Sequence, residues 1–164
     1  MSLFTCVRQN AQAHEDETNG EVDHFRPKAH FPESVYEWSN WVLACHDCNN
    51  PKNVHWPRFG FVNPCSKRDK PENYFDFDLL TGEILPKASL KIQCKRKALD
   101  TIGHLRLNGF HQLKRRRNWI SIFTFLINQG NRNQKQYRLF VKQMTARETA
   151  LSSLSRAILK HNGV

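Results

Sequence analysis

The sequence predicts an α+β protein in which a small strand–loop–strand–helix unit precedes a mostly α-helical C-terminal half. Two short β-patterned runs, 21–25 and 38–44, flank a proline-bearing connection, and apolar residues recur at helical spacing from Ser89 onward. Charge is also uneven along the 164 residues: 3 Lys/Arg against 8 Asp/Glu over 1–50, 5 against 5 over 51–86, and 17 against 2 over 87–164. With 39% apolar residues, eleven Phe and four Trp among them, a chain of this length builds one core. The expected division is a ββα unit with ordered loops at 1–86 and a basic helical region at 87–164 packed on it, one domain overall.

Each element has its own local reason. Residues 7–20 are polar and read as a loop ending at the Asn19-Gly20 turn signal. Glu21 to Phe25 alternates as a short strand, and Arg26-Pro27 stops it because proline cannot extend a ladder and restricts the residue before it. Pro32 prolongs the irregular connection, and Trp38 to Ala44 forms the second strand. Asn49-Asn50-Pro51 reads as a cap with proline in the first turn of a helix, where its missing N–H costs nothing. Pro57 to Pro86 reads as ordered loops with a hairpin around Thr81-Gly82, its aromatics (Phe59, Phe61, Tyr74, Phe75, Phe77) forming a packed loop core rather than a base-stacking surface. Ala98, Ile102 and Leu105 then mark one helix. Asn108 caps the next, whose apolar face is Phe110, Leu113, Ile120, Phe123 and Ile127 and whose end is near Gly130. Tyr137, Phe140, Val141 and Met144, then Ala150, Leu151, Leu154, Ala157 and Ile158, mark two more amphipathic pieces.

Composition narrows the function classes. No apolar run reaches the ~20 residues that cross a bilayer, and the N-terminus lacks the order of a signal peptide, so no membrane association and a cytoplasmic location are expected. Five Cys is an odd number, and Cys45 and Cys48 form a CxxC with His and Asp between them, which reads as metal or redox chemistry before disulfide. A thioredoxin-like site needs a βαβ setting, which the flanking Asn residues fit poorly. The acidic front can concentrate cations, and the basic half, within a net charge of +10, can draw in a polyanion. The bland alternative is that these Lys and Arg merely solvate helix faces.

The chemistry concentrates in residues 21–52. Hydrolysing a phosphodiester requires an activated water, neutralisation of the phosphate and stabilisation of the leaving oxygen, which one imidazole and one hard cation can supply. His24 can be the neutral base. Asp23 offers a hard oxygen ligand for Mg²⁺ or Mn²⁺, and Asn49 a second, neutral one. Neighbours on a regular strand face opposite ways, so the strand must end or twist at Asp23-His24 for both to serve one site. Asn40, before the second strand, can hydrogen-bond a loop carbonyl and so hold the imidazole in place.

These residues resemble the HNH endonucleases with the ββα-metal fold. The run Gly20 to Lys52, with His-Phe-Arg-Pro-Lys and Trp-Ser-Asn, is similar to the HNH nucleases of Septu-type and retron-linked anti-phage systems. The likeness continues through Phe61-Val-Asn-Pro64, Thr81-Gly82-Glu83-Ile84 and Thr101-Ile102 to Leu107-Asn108, covering about residues 20–117. The resemblance implies His24 as general base, Asp23 and Asn49 as ligands of the catalytic Mg²⁺ or Mn²⁺, Asn40 as the residue orienting the base, DNA as substrate and an ATPase subunit as partner. Arg26, Lys28 and Lys52 lie close enough in sequence to contact flanking phosphates, or simply to be solvated. Relatives pair Cys45 and Cys48 with an earlier CxxC to hold a structural Zn²⁺. Here Cys6 lacks its second thiol, so the fourth position falls to His14 or water, with Cys65 a remote candidate, or the zinc is lost. Relatives also carry more chain before that cysteine, so the N-terminus reads as trimmed. Cys65 and Cys94 read as ordinary small apolar residues, and His46 and His55 as loop histidines. Two other readings stand beside the nuclease: a nucleic-acid-binding module that keeps the fold without cutting, and an interaction subunit inert until its partner binds.

Overall fold

A computed structural model describes residues 5–6, 20–63, 65–66, 68–130, 134–146 and 151–163, with the side chains of residues 5, 6, 20, 43 and 45–48 left aside. Of the loop expected over 7–20 all but Gly20, which belongs to a strand, lies outside this range, as do the helix signal at Ala150 and the proposed ligand His14. Strands β1 (Thr5–Cys6), β2 (Gly20–His24) and β3 (Trp41–Cys45) form an antiparallel sheet in the order β1-β3-β2, and helix α1 (His46–Lys52) follows β3 directly. Glu21 pairs with Ala44, Asp23 with Val42 and His24 with Trp41. Phe25, Val42 and Phe61 form the core of this unit, with Trp56 and Cys65 packed against them. Cys65 is thus a small core-side residue, as its composition-level reading has it.

Two boundaries differ from expectation. Trp38–Asn40 is a 3-10 turn rather than the start of the strand, with the Asn40 N–H bonded to the Glu37 carbonyl at 2.9 Å. The buried Asn40 side chain is committed to the loop, which curls the backbone away from the ladder. Helix α1 begins at His46, and Pro51 sits inside its last turn instead of its first. A seven-residue helix ending one residue later forfeits little for a single missing N–H, so the Asn49-Asn50-Pro51 signal misplaced the start.

Helix α2 (Pro71–Tyr74) leads into β4 (Phe75–Phe77), which pairs with β5 (Ile84–Pro86) as the expected hairpin. Gly82 (φ +75) supplies the left-handed residue at its turn, where a side chain would also crowd Arg117. Helix α3 (Ile92–His104) closes over the hairpin, and Val62, Phe75, Ile84, Ala98, Leu105 and Leu107 form a second core. The segments that carry the resemblance beyond Lys52 meet here. The Thr101 hydroxyl accepts the Val62 N–H (3.0 Å) while donating to the Lys97 carbonyl (2.7 Å). Asn108 does not cap the next helix, a place taken by Gly109. Its carboxamide instead pairs with both backbone groups of Ile84 (2.9 and 3.0 Å), acting as a one-residue strand partner for β5.

Helices α4 (Phe110–Gln129), α5 (Lys135–Thr145) and α6 (Ser152–His161) share a third core of Phe123, Ile127, Leu154, Ile158 and Leu159. α4 ends at Gly130, whose backbone turns extended and where a Cβ would run into the Tyr137 ring. Its inward face also departs from the sequence pattern: Phe110 is 74% exposed, while Arg116 is buried. The Arg116 guanidinium donates to the carbonyls of Gly82 and Leu107 and to the Asn108 side-chain oxygen, tying hairpin, α3 and α4 together.

Candidate active site

The site grows from the end of β2. His24 is the last residue paired with β3, and its Nε2 lies 3.1 Å from the Val35 carbonyl. A carbonyl only accepts, so this bond assigns the proton to Nε2 and leaves the lone pair on Nδ1. The same Val35 oxygen accepts the Trp41 indole N–H at 2.8 Å, and the Trp41 ring meets the imidazole edge-on at 6.4 Å. One carbonyl therefore fixes both rings.

Asn40 fixes that carbonyl. Its side-chain oxygen accepts the Arg26 N–H (2.7 Å), and its Nδ2 donates to the carbonyls of Arg26 (3.2 Å) and Ser34 (3.0 Å). Its own backbone oxygen takes the Phe25 N–H at 2.7 Å. One buried carboxamide thus clips the residues just after His24 to the residue just before Val35. Its hold on the imidazole runs through the loop, with no direct contact.

The other face of β2 meets α1. Residues two apart on a strand share a face, as do residues three apart on a helix. Glu21 and Asp23 accordingly face Asn49 and Lys52. Asn49 Nδ2 donates to Glu21 Oε2 at 2.8 Å, and Lys52 Nζ donates to Asp23 Oδ2 at 2.6 Å and to the His24 carbonyl at 2.7 Å. Asp23 and His24 therefore stay on opposite faces of a strand that ends beside them, linked through the His24 backbone. Burial, the largest influence, holds the Asp23 carboxyl above its ordinary value. The Lys52 charge and hydrogen bond, and then His24, pull the other way.

Lys52 is a correction to the surface reading. It is 4% exposed, and its ammonium points inward to Asp23 instead of toward solvent. Arg26 and Lys28 are exposed, and the Arg26 guanidinium lies 5.4 Å from the Phe31 ring centre. His55 is also exposed, its ring 5.5 Å from that of His104. The backbone puts Cys6 opposite Val42, Cys45 at the end of β3 and Cys48 within α1. Their thiols, and the His46 ring, lie outside the described side chains.

Among the described residues no three His, Cys, Asp or Glu side chains gather into a ready metal cluster. What α1 and β2 bring together is two carboxylates, Glu21 and Asp23, and the Asn49 carboxamide, an all-oxygen donor set that suits a hard cation. A resident ammonium, that of Lys52, already sits on one of those oxygens. Glu21 is the residue that sequence reasoning missed, although strand alternation from Asp23 points to it. The roles of Val35 and Trp41 left no signal, since one acts through its backbone and the other reads as core.

Residues 6–54 match the family described as HNH endonuclease. The chain is also 33% identical over 96 residues, 56% of its own length, to the Septu protein PtuB of Bacillus thuringiensis. It spans 37% of that relative's length. The likeness to HNH endonucleases thus rests on residues 6–54, the segment that holds β3, α1 and the site residues described above.

Proposed function

We propose that the chain is a metal-dependent endonuclease that hydrolyses DNA phosphodiester bonds, with His24 as general base. The observation that carries this reading is the Nε2–Val35 bond. It presents Nδ1 as the free lone pair, held by a loop that Asn40 clamps at both ends. A base fixed in one tautomer and one orientation is what proton abstraction from water requires.

Asp23 and Asn49 would hold a single Mg²⁺ or Mn²⁺, with Glu21 close by through its bond to Asn49. When bound, that ion neutralises charge on the phosphate and supports the departing oxygen. Zn²⁺ at Cys6, Cys45 and Cys48 is a separate structural proposal. The rest belongs to the protein: His24 takes the proton of the attacking water, Asn40 keeps the loop closed, and Arg26 and Lys28 offer exposed cations to the flanking phosphates. The likeness to the Septu protein supports a role in anti-phage defence beside another defence component, and the partner and place proposed here are an ATPase subunit and the cytoplasm.

Incubating supercoiled plasmid with the purified protein tests this. Nicking that needs Mg²⁺ or Mn²⁺ and disappears in His24→Ala supports it, while equal cutting by the variant removes His24 as base. A second reading, a nucleic-acid-binding module that does not cut, draws on the Lys52 ammonium already seated on Asp23. Nucleic-acid binding without metal-dependent cutting would favour it.

A further inference from the structure

The connection between β2 and β3 leaves aromatic rings in solvent beside the candidate base. Tyr36 is 92% exposed, the highest value among the described large apolar side chains, and Trp38 is 49% exposed. Neither is remote from the chemistry. The Trp38 ring lies 5.4 Å from Trp41, whose own ring meets His24 at 6.4 Å, so imidazole, Trp41 and Trp38 form one contiguous row. Tyr36 follows the residue whose carbonyl holds both His24 and Trp41. The same connection carries Arg26 and Lys28, both exposed.

Exposed flat rings on the same connection as exposed cations match bases strung on a phosphate backbone, the exposed Glu33 and Glu37 being the opposing charges there. Bases within a duplex spend their faces on each other and have none to offer such a ring. We propose that residues 26–38 form a stacking platform for unpaired bases next to the scissile phosphate, making single-stranded or locally opened nucleic acid the substrate. This rests on the nuclease reading and adds to it the state of the strand. Tyr36 and Trp38 stack on bases, and Arg26 and Lys28 meet the phosphate backbone.

The test separates binding from cutting. A fluorescein-labelled oligonucleotide, alone or annealed to its complement, is titrated with the full chain in EDTA and followed by anisotropy. The wild type binds the single strand several times more tightly than the duplex. Tyr36→Ala and Trp38→Ala each weaken single-strand binding by about five- to hundredfold, the effect of losing one stacked base, and leave duplex binding nearly unchanged. Trp38→Phe keeps most of the affinity. Tyr36→Ala guards against misfolding, since so exposed a ring supports no core.

Equal affinity for single strand and duplex, or two alanine variants that bind like the wild type, overturns the platform. So does loss of a protein partner from the alanine variants with single-strand binding intact, because the rings would then serve a protein surface. Metal-dependent cutting with no preference for unpaired strands sinks the platform and leaves the nuclease standing. Single-strand preference without cutting does the reverse.

Discussion

Replacing Lys52 by Met is the sharpest test of the site's architecture. The side chain is 5% exposed, with Nζ 2.6 Å from Asp23 Oδ2 and 2.7 Å from the His24 carbonyl. Removing one partner of a buried ion pair costs about 3–5 kcal/mol because a desolvated charge is left alone. The Asp23 side chain keeps 15% exposure and can take up a proton instead, which places the loss near the lower end, about 3 kcal/mol. For a chain of this size that lowers Tm by about 9 °C. The pH dependence has a definite sign. Burial already holds the Asp23 carboxyl above its ordinary value of 3.8, against the pull of Lys52. A raised acid favours the fold fully below its unfolded value, and that contribution is lost as pH rises through the folded one. Without Lys52 the upward shift grows, so the gap between Lys52→Met and wild type opens above pH 3.8 and closes beneath it. Thermal unfolding by circular dichroism in EDTA across this range reads the gap directly. The double variant Asp23→Asn/Lys52→Met recovers more than half of the loss, because no charge is then stranded. A single-variant loss below about 1 kcal/mol at neutral pH, or a gap that ignores pH, would refute the inward ammonium and restore Lys52 to the surface.

Three further outcomes follow from neighbouring contacts. Asn40→Ala strands the Arg26 N–H and the buried Ser34 carbonyl and costs about 2–4 kcal/mol in urea unfolding, with a fall in cutting that exceeds any loss of fold; full activity would show that the loop clamp does not position the base. Asp69 hydrogen-bonds Tyr74 at 2.6 Å and pairs with Lys97, and although burial pushes its carboxyl up, these partners together hold it below 3.8. Its stabilisation is present above pH 3.8 and lost as pH falls through the lower folded value, so Asp69→Asn is less stable than wild type at neutral pH and equal to it in strong acid, as acid-unfolding curves will show. Asn108→Leu removes the side-chain partner of Ile84 and costs about 2–3 kcal/mol in the same urea assay, and a loss below about 1 kcal/mol would mean that β5 does not depend on it.

The strand–loop–strand–helix order was legible because proline and alternation act locally. Arg26-Pro27 ends β2 whatever the rest of the chain does, whereas Trp38 to Asn40 read as strand because the bonds that hold Asn40 in the loop reach back to Arg26 and Ser34. The helix start at His46 was not legible either, because β3 ends at Cys45 and the helix begins at the very next residue. The burial of two cations, Lys52 and Arg116, was not legible in the sequence for a common reason. Their partners lie 29 residues away at Asp23 and 34 away at Gly82, and periodicity reports a face without saying which acceptors line it. Asn108 misled in the same way: Asn favours helix caps, but here tertiary pairing with Ile84 won. Phe110 followed the apolar stripe of α4 on paper, while the inward place on that helix went to Arg116.

Chemical rescue addresses the imidazole most directly. Plasmid nicking with Mn²⁺ is measured for wild type and His24→Ala, with and without free imidazole, and again after EDTA. The variant is expected to fold normally and to lose about 10²–10⁴-fold in rate, with imidazole restoring part of it and EDTA abolishing cutting throughout. Undiminished nicking by His24→Ala would contradict the assignment of the base, and nicking that survives EDTA would contradict the metal.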